Sequence, residues 1–129
     1  MNALSANTPC DVLLDDNQRL GPKLMAHSSG VEYKAIYAFS SKKSYDLFCN
    51  NSDQPLIPYP LVKGYLKNQI ADSVETVQLV VIDAEGPQQA RMNAATMNSV
   101  LDAVEQKADQ VGLSFHLTLD QETETYCIE

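Results

Sequence analysis

The sequence predicts an α+β domain in which a mostly antiparallel sheet carries about three helices, packed mainly on one of its faces. Three observations point to this class. Segments with an apolar residue at every second position are interspersed with segments that repeat every three or four residues, as strands and helices do. The two kinds of segment follow the order β-β-β-α-α-β-α-β-β, without the strict alternation of a parallel α/β fold. The length of 129 residues suits a single domain spanning 1–129.

The first third of the chain is predicted to form three strands joined as an antiparallel meander. They are "CDVLL" (residues 10–14), "RLGPKLMAH" (19–27) and "VEYKAIYAF" (31–39). Pro22 has no N–H to donate, so the second of them should be an edge strand or an interrupted one. The third strand begins with polar residues on one face and becomes apolar on both, which indicates that its second half is buried on both sides.

Two helices and a central strand follow. Tyr45, Phe48 and Cys49 lie at helical spacing and predict an amphipathic helix. Pro60 suits the first turn of a second helix, whose apolar stripe runs to Ile70. The segment "VETVQLVVIDA" is apolar on both faces, which is typical of a strand at the centre of a sheet.

The last third is predicted to contain one long helix and two strands. The helix is expected near residues 90–111, with Gly112 closing it in a left-handed conformation. The segment "LSFHLTL" alternates cleanly as a strand, and "TYCI" (125–128) forms the final strand. An edge strand such as "TYCI" would allow two copies to pair across a two-fold axis, so a homodimer is one expectation.

Charge and composition narrow the choice of partners. The net charge of −8 repels phosphate, so we expect neither nucleic-acid binding nor attachment to an anionic membrane. A basic protein is the partner that such a surface attracts, although acidity also serves solubility alone. The first ten residues lack the features of a secretory signal, and the three cysteines are widely spaced. Reduced thiols and a cytoplasmic location are therefore expected.

No catalytic or cofactor-binding set is predicted. Ser40 and Ser41 follow a strand and precede a helix, but no glycine flanks them as a nucleophile elbow requires, so helix capping is the preferred interpretation. His27 and His116 lack the spacing of metal ligands, and no phosphate-binding glycine loop is present. Asp83 ends a buried strand, where active-site acids are often found, and is interpreted as a loop acid. We expect no cofactor and no metal ion.

Acidic residues near both ends of the chain form the candidate partner-binding site. If the first and last strands were neighbours, these residues would make one anionic patch for a basic protein. The candidates are Asp11, Asp15, Asp16, Asp120, Glu122 and Glu124. Replacing Glu122 and Glu124 with lysine is then expected to weaken binding of the partner.

The stretch "SGVEYKAIYAFSSKKSYDLF" resembles the N-terminal domain of the SseB-type (enhanced serine sensitivity) bacterial proteins. In that family a strand enters a Phe-Thr-Ser-like turn and then an amphipathic helix; here the turn is Phe39, Ser40 and Ser41. The later order of "PLVKGYLKNQI" and "VQLVVID" is also similar, so the resemblance covers roughly residues 20–83. It implies a binding or accessory role in a bacterium and transfers no functional residue.

The leading hypothesis is thus a small acidic bacterial protein that acts by protein–protein binding, as an accessory or immunity-like factor, without catalysis. One alternative is a dimer similar to type III secretion chaperones, which are also small and acidic. Another alternative is an enzyme or small-ligand binder whose site forms only in three dimensions. Its pocket would be lined by the tyrosines Tyr33, Tyr37, Tyr59 and Tyr65.

Overall fold

The computed structural model describes residues 5–25, 30–53, 55–72 and 76–128. Within these ranges the chain forms three helices, an eight-stranded and mostly antiparallel sheet and a two-stranded ribbon, so the predicted α+β class is confirmed. The strands are β1 (Ser5–Asn7), β2 (Asp11–Asp15), β3 (Gln18–Arg19), β4 (Glu32–Phe39), β5 (Ile57–Pro60), β6 (Thr76–Ile82), β7 (Arg91–Thr96), β8 (Gln110–Gly112), β9 (Phe115–Asp120) and β10 (Thr125–Ile128). The helices are α1 (Lys42–Asn50), α2 (Lys63–Asp72) and α3 (Met97–Glu105). No helix in the described ranges is long and apolar enough to cross a bilayer.

The sheet is built around β4 and β6, which pair in parallel from Glu32 opposite Thr76 to Ala38 opposite Ile82. Strands β7, β9 and β10 extend the sheet beyond β6, and β2 and then β5 extend it beyond β4. The short β3 returns from β2 through Asp16 and Asn17, whose φ angles of 51° and 67° suit a type I′ hairpin turn. The prediction that "VETVQLVVIDA" supplies a strand at the sheet centre is confirmed, since β6 lies between β4 and β7 and its residues 79–82 are buried.

The sheet buries apolar side chains on both faces. On one face, Val80 packs in a cluster with Leu66 of α2 and Val100 of α3. On the other face, Phe48 of α1 packs against the rings of Tyr37 and Phe39 at centroid distances of 4.7 and 5.4 Å. We call these the α2/α3 face and the α1 face. The helices thus lie mainly on one face, as predicted, but α1 covers the other.

The helix predicted over residues 90–111 is shorter than expected. Its first part is strand β7, which pairs with β6 on one edge and with β9 on the other. The helix α3 begins after Thr96, whose hydroxyl caps it by accepting a hydrogen bond from the Ser99 N–H at 3.1 Å. It ends at Glu105 and is closed by the left-handed Lys107 (φ 53°) after the C-cap Gln106, so the assignment of Gly112 as the closing residue is wrong. Gly112 instead lies in β8, which pairs with β1.

The segment 20–25, which we call the strap, joins β3 to the far edge of the sheet. The Leu20 N–H donates to the Leu13 carbonyl, and the Leu20 carbonyl accepts from the Tyr37 N–H, both at 2.9 Å. Further along, the Tyr126 N–H donates to the Lys23 carbonyl at 2.8 Å, and the Tyr126 carbonyl accepts from the Met25 N–H at 2.9 Å. The outer edge of β10 is therefore already occupied at Tyr126, where "TYCI" was expected to offer a free edge to a second copy.

Candidate functional site

Strand β5 forms the edge of the sheet beyond β2. The Leu61 N–H donates to the Cys10 carbonyl at 2.9 Å, and backbone groups alternate along a strand, so the nitrogens of Pro58 and Pro60 face away from β2. Proline nitrogens carry no hydrogen, which removes two backbone donors from the open edge. This edge is therefore poorly suited to pairing with another strand, and its side chains provide the remaining means of contact.

The side chains at this edge are unusually apolar for a surface. Ile57 is 64 % exposed, Tyr59 45 % and Val62 48 %, and they account for three of the five exposed large apolar side chains in the described part of the chain. We call them the apolar strip. Ile57 and Tyr59 lie on the α2/α3 face, since Tyr59 is the direct partner of Val12. Clustered exposed apolar residues are typical of contact surfaces, whereas scattered ones are ordinary.

Arg19 of β3 lies close to two tyrosine rings, one of them Tyr59 of the apolar strip. Its guanidinium lies 3.5 Å from the centroid of the Tyr65 ring and 5.8 Å from that of Tyr59. The Arg19 Nε is buried without a hydrogen-bond partner, so the stacking on Tyr65 is the main compensation visible for its charge. Burial raises the pKa of Tyr65, and the Arg19 charge opposes that rise. The guanidinium therefore lies closer to Tyr65 than to the exposed Tyr59.

The six predicted acidic residues do not form one patch by strand adjacency. Strands β9, β7, β6 and β4 lie between β10 and β2 in the sheet order, so the assumption that the first and last strands are neighbours is wrong. The first group, which we call the β2 acids, lies in β2 and the turn after it, in the strand that pairs with β5, and consists of Asp11, Asp15 and Asp16. The second group, the turn acids, lies at the end of β9 and in the β9–β10 turn and consists of Asp120, Glu122 and Glu124.

The two serines after β4 have different roles. Ser41 is the N-cap of α1 and its hydroxyl accepts a hydrogen bond from the Ser44 N–H at 3.2 Å, which confirms the capping interpretation for this residue. Ser40 instead donates to Asp83, from its N–H at 2.8 Å and from its hydroxyl at 2.7 Å. Asp83 has a φ of 57° and therefore depends on these bonds to hold its conformation. These two hydrogen bonds connect the C-terminal end of β4 to that of β6.

Cys10 lies beside this pair and is expected to be an unreactive thiol. Burial, together with the hydrogen bond from its Sγ to Asp11 at 3.3 Å and the charges of Asp11 and Asp83, raises the pKa of Cys10 to about 11.

A raised pKa lowers the thiolate fraction of Cys10, so at pH 8 its alkylation should be about 100-fold slower in the folded chain than in urea. Peptide mass spectrometry after iodoacetamide treatment measures this rate. The Asp11→Asn variant should react faster than the wild type, and an unchanged rate would contradict the contribution assigned to Asp11.

The remaining candidates are placed apart from one another. His116 is exposed and its Nδ1 lies 2.6 Å from the Asn93 side-chain oxygen, while His27 lies outside the described residues. Tyr59 and Tyr65 belong to the α2/α3 side, whereas Tyr33 and Tyr37 pack in the α1-face cluster. The four tyrosines therefore do not line a single pocket. Sequence reasoning missed Arg19 and the strip, although the prolines of "LIPYP" were a visible sign of an exposed edge.

Fold and surface together describe a small α+β protein with one apolar edge bordered by carboxylates. Comparison with family models, curated proteins and solved structures gave no match. The SseB-type resemblance therefore stays a prediction.

Proposed function

We propose that this chain is a bacterial cytoplasmic binding protein that docks a basic partner protein along the β5 edge, in an accessory or immunity-like role. The apolar strip is the observation that carries this proposal. Aromatic and aliphatic side chains at the centre of a contact contribute most of its affinity, and Tyr59 and Ile57 are suited to that part.

The β2 acids account for the choice of a basic partner. Asp11 and Asp15 share the parity of Leu13 and so lie on the α1 face of the edge, opposite Ile57 and Tyr59. A partner laid along the edge contacts both faces of it, with apolar side chains on the strip and lysine or arginine near the carboxylates. The net charge of −8 speeds the encounter with such a partner. Salt should then slow association more than it speeds dissociation.

Truncating the strip should weaken the complex without unfolding the chain. Ile57→Ser removes an exposed side chain, and its loss from an interface should lower the affinity for a partner captured from the source bacterium about tenfold. Leu47→Ser is the matched control, because Leu47 is 44 % exposed on α1, away from the strip. The affinities of both variants are measured with an optical biosensor, with the chain immobilised on the surface and the purified partner in solution.

Two outcomes would contradict the proposal: equal loss of affinity in both variants, or a captured partner that is not basic. The two acid groups are distinguished in the same assay. An Asp15→Asn/Asp16→Asn variant should bind more weakly than wild type, because asparagine keeps the left-handed turn at Asp16 while removing charge. If only Glu122→Lys/Glu124→Lys weakens binding, the docking surface is the β9–β10 turn and not the β5 edge.

A further inference from the structure

A cleft of about 610 Å³ opens on the α1 side of the sheet, between the strap and the β9–β10 turn. Its volume lies within the range of small-molecule sites, and its walls are partly apolar, with Pro22 and Leu119, and partly polar. Tyr37 and Tyr126 line it, and each is only 2 % exposed. The cleft is separate from the β5 edge, so what it binds does not depend on the proposed function.

Tyr37 gives the cleft an unsatisfied polar group. The residue is only 2 % exposed and lines the cleft, and its hydroxyl makes no hydrogen bond within the described part of the chain. Burial, with a smaller effect of the Tyr126 phenol, raises the pKa of Tyr37 far above its usual range. The hydroxyl is therefore neutral at every physiological pH. The Tyr37 hydroxyl is therefore an unpartnered polar group on the cleft wall, where a ligand can hydrogen-bond to it.

The Tyr126 hydroxyl, unlike that of Tyr37, already donates a hydrogen bond, so it can only accept one from a ligand. Its hydroxyl donates to the Gln89 carbonyl at 2.6 Å, which uses its single proton. The lone pairs of its oxygen are left to accept hydrogen bonds. Burial raises the pKa of Tyr126 as well, so this phenol is also neutral. The two phenols thus offer more acceptor than donor capacity, which suits a ligand rich in N–H donors.

Carboxylates give the cleft its charge preference. Asp53 and Glu124 both line it, and neither makes an ion pair within the described ranges. Lys23 is the single cation that lines it among these residues. The formal charge of the cleft lining is therefore −1, and the net charge of the whole chain is −8. Both charges favour the binding of cations and oppose that of anions.

We propose that this cleft binds a small primary amine with an apolar body. The ammonium group donates hydrogen bonds to the oxygens of Tyr37 and Tyr126 and is held by the charges of Asp53 and Glu124. The apolar body lies along Pro22 and Leu119. The turn acid Glu124, chosen from the sequence as a partner-binding residue, serves the amine in this proposal.

Three probes that share one body test the proposal. Phenethylamine, phenethyl alcohol and phenylacetate differ mainly in the charge of the terminal group. Each is titrated into the full chain labelled with ¹³C in its tyrosine rings, and the NMR signals of Tyr37 and Tyr126 are followed. The amine should give saturable shifts at both tyrosines, the alcohol should bind at least about tenfold more weakly, and the anion should not bind.

Variants separate the role of Tyr37 from that of the surface as a whole. Tyr37→Phe keeps the ring against Phe48 and should weaken phenethylamine binding about tenfold, as followed at Tyr126. Tyr59→Phe is the control and should change nothing, because Tyr59 lies on the apolar strip. The proposal is overturned if phenethylamine produces no saturable shift, if the alcohol binds as tightly as the amine, or if Tyr37→Phe binds like the wild type.

Discussion

Gly21→Ala is expected to lower the free energy of unfolding by about 3 kcal/mol, because the strap passes too close to β4 for any side chain. A Cβ on Gly21 would lie 1.8 Å from the Ala35 carbonyl oxygen and 2.8 Å from its carbon. Backbone atoms in a central strand cannot move away, so the strap has to lift. Lifting it would also break the contacts of Leu20 with β2 and β4. Urea unfolding followed by circular dichroism measures the change.

Gly64→Ala is the matched control for this substitution. Gly64 lies within α2, where an added Cβ meets nothing within 4 Å. Alanine favours helix over glycine by about 1 kcal/mol, so this variant should be more stable than the wild type. Opposite signs for two chemically identical changes would identify the strap as a packed part of the fold. A Gly21→Ala variant as stable as the wild type would show that the strap does not lie against β4.

Asp83→Ala is expected to destabilise the chain by about 3 kcal/mol. The substitution removes both hydrogen bonds that Ser40 donates and leaves alanine in a left-handed conformation, each of which is unfavourable. The same urea experiment measures the effect.

Asp83→Asn and Ser40→Ala divide this effect into its parts. Asparagine tolerates the left-handed conformation and keeps one acceptor, so it should cost about 1 kcal/mol. Ser40→Ala removes only the hydroxyl bond and keeps the backbone one, and should also cost about 1 kcal/mol. If all three variants lose the same stability, the left-handed backbone at Asp83 contributes nothing to the cost of Asp83→Ala.

Local signals explain which parts of the fold were predictable. The α+β class, the buried β6, the cap at Ser41 and the last strand each depend on short-range patterns of apolar spacing or capping. The error at residues 90–96 has a local cause too. Met92 and Ala95 have the three-residue spacing of a helix, whereas Met92 and Ala94 have the two-residue spacing of a strand, and only pairing with β6 and β9 decides between the two.

Long-range arrangement explains what was missed. Nothing within "LIPYP" specifies that β2 lies beside it, so β5 was interpreted only as an extended segment. The position of α1 on the opposite face from α2 and α3 depends on the parallel pairing of β4 with β6. The placement of the last strand far from β2 depends on the whole sheet order, which periodicity does not encode.

The candidate sites show the same division. The acidic residues were visible as types, but their separation into two groups follows from the topology. Tyr37 was named as a pocket candidate together with three other tyrosines, and only the strap shows that Tyr126 is its neighbour in the cleft. The role of Arg19 could not be predicted from local sequence, because it depends on contact with Tyr65, which lies far along the chain.

Site-specific photocross-linking tests most directly whether the β5 edge docks a basic protein. A photoreactive phenylalanine analogue replaces Tyr59 in one variant and Leu47 in another, and both are irradiated in living cells of the source organism. We expect one dominant basic protein to be cross-linked from position 59 and not from position 47, with the product reduced in an Asp15→Asn/Asp16→Asn background. Absence of any product from position 59, or the same products from both positions, would contradict the account.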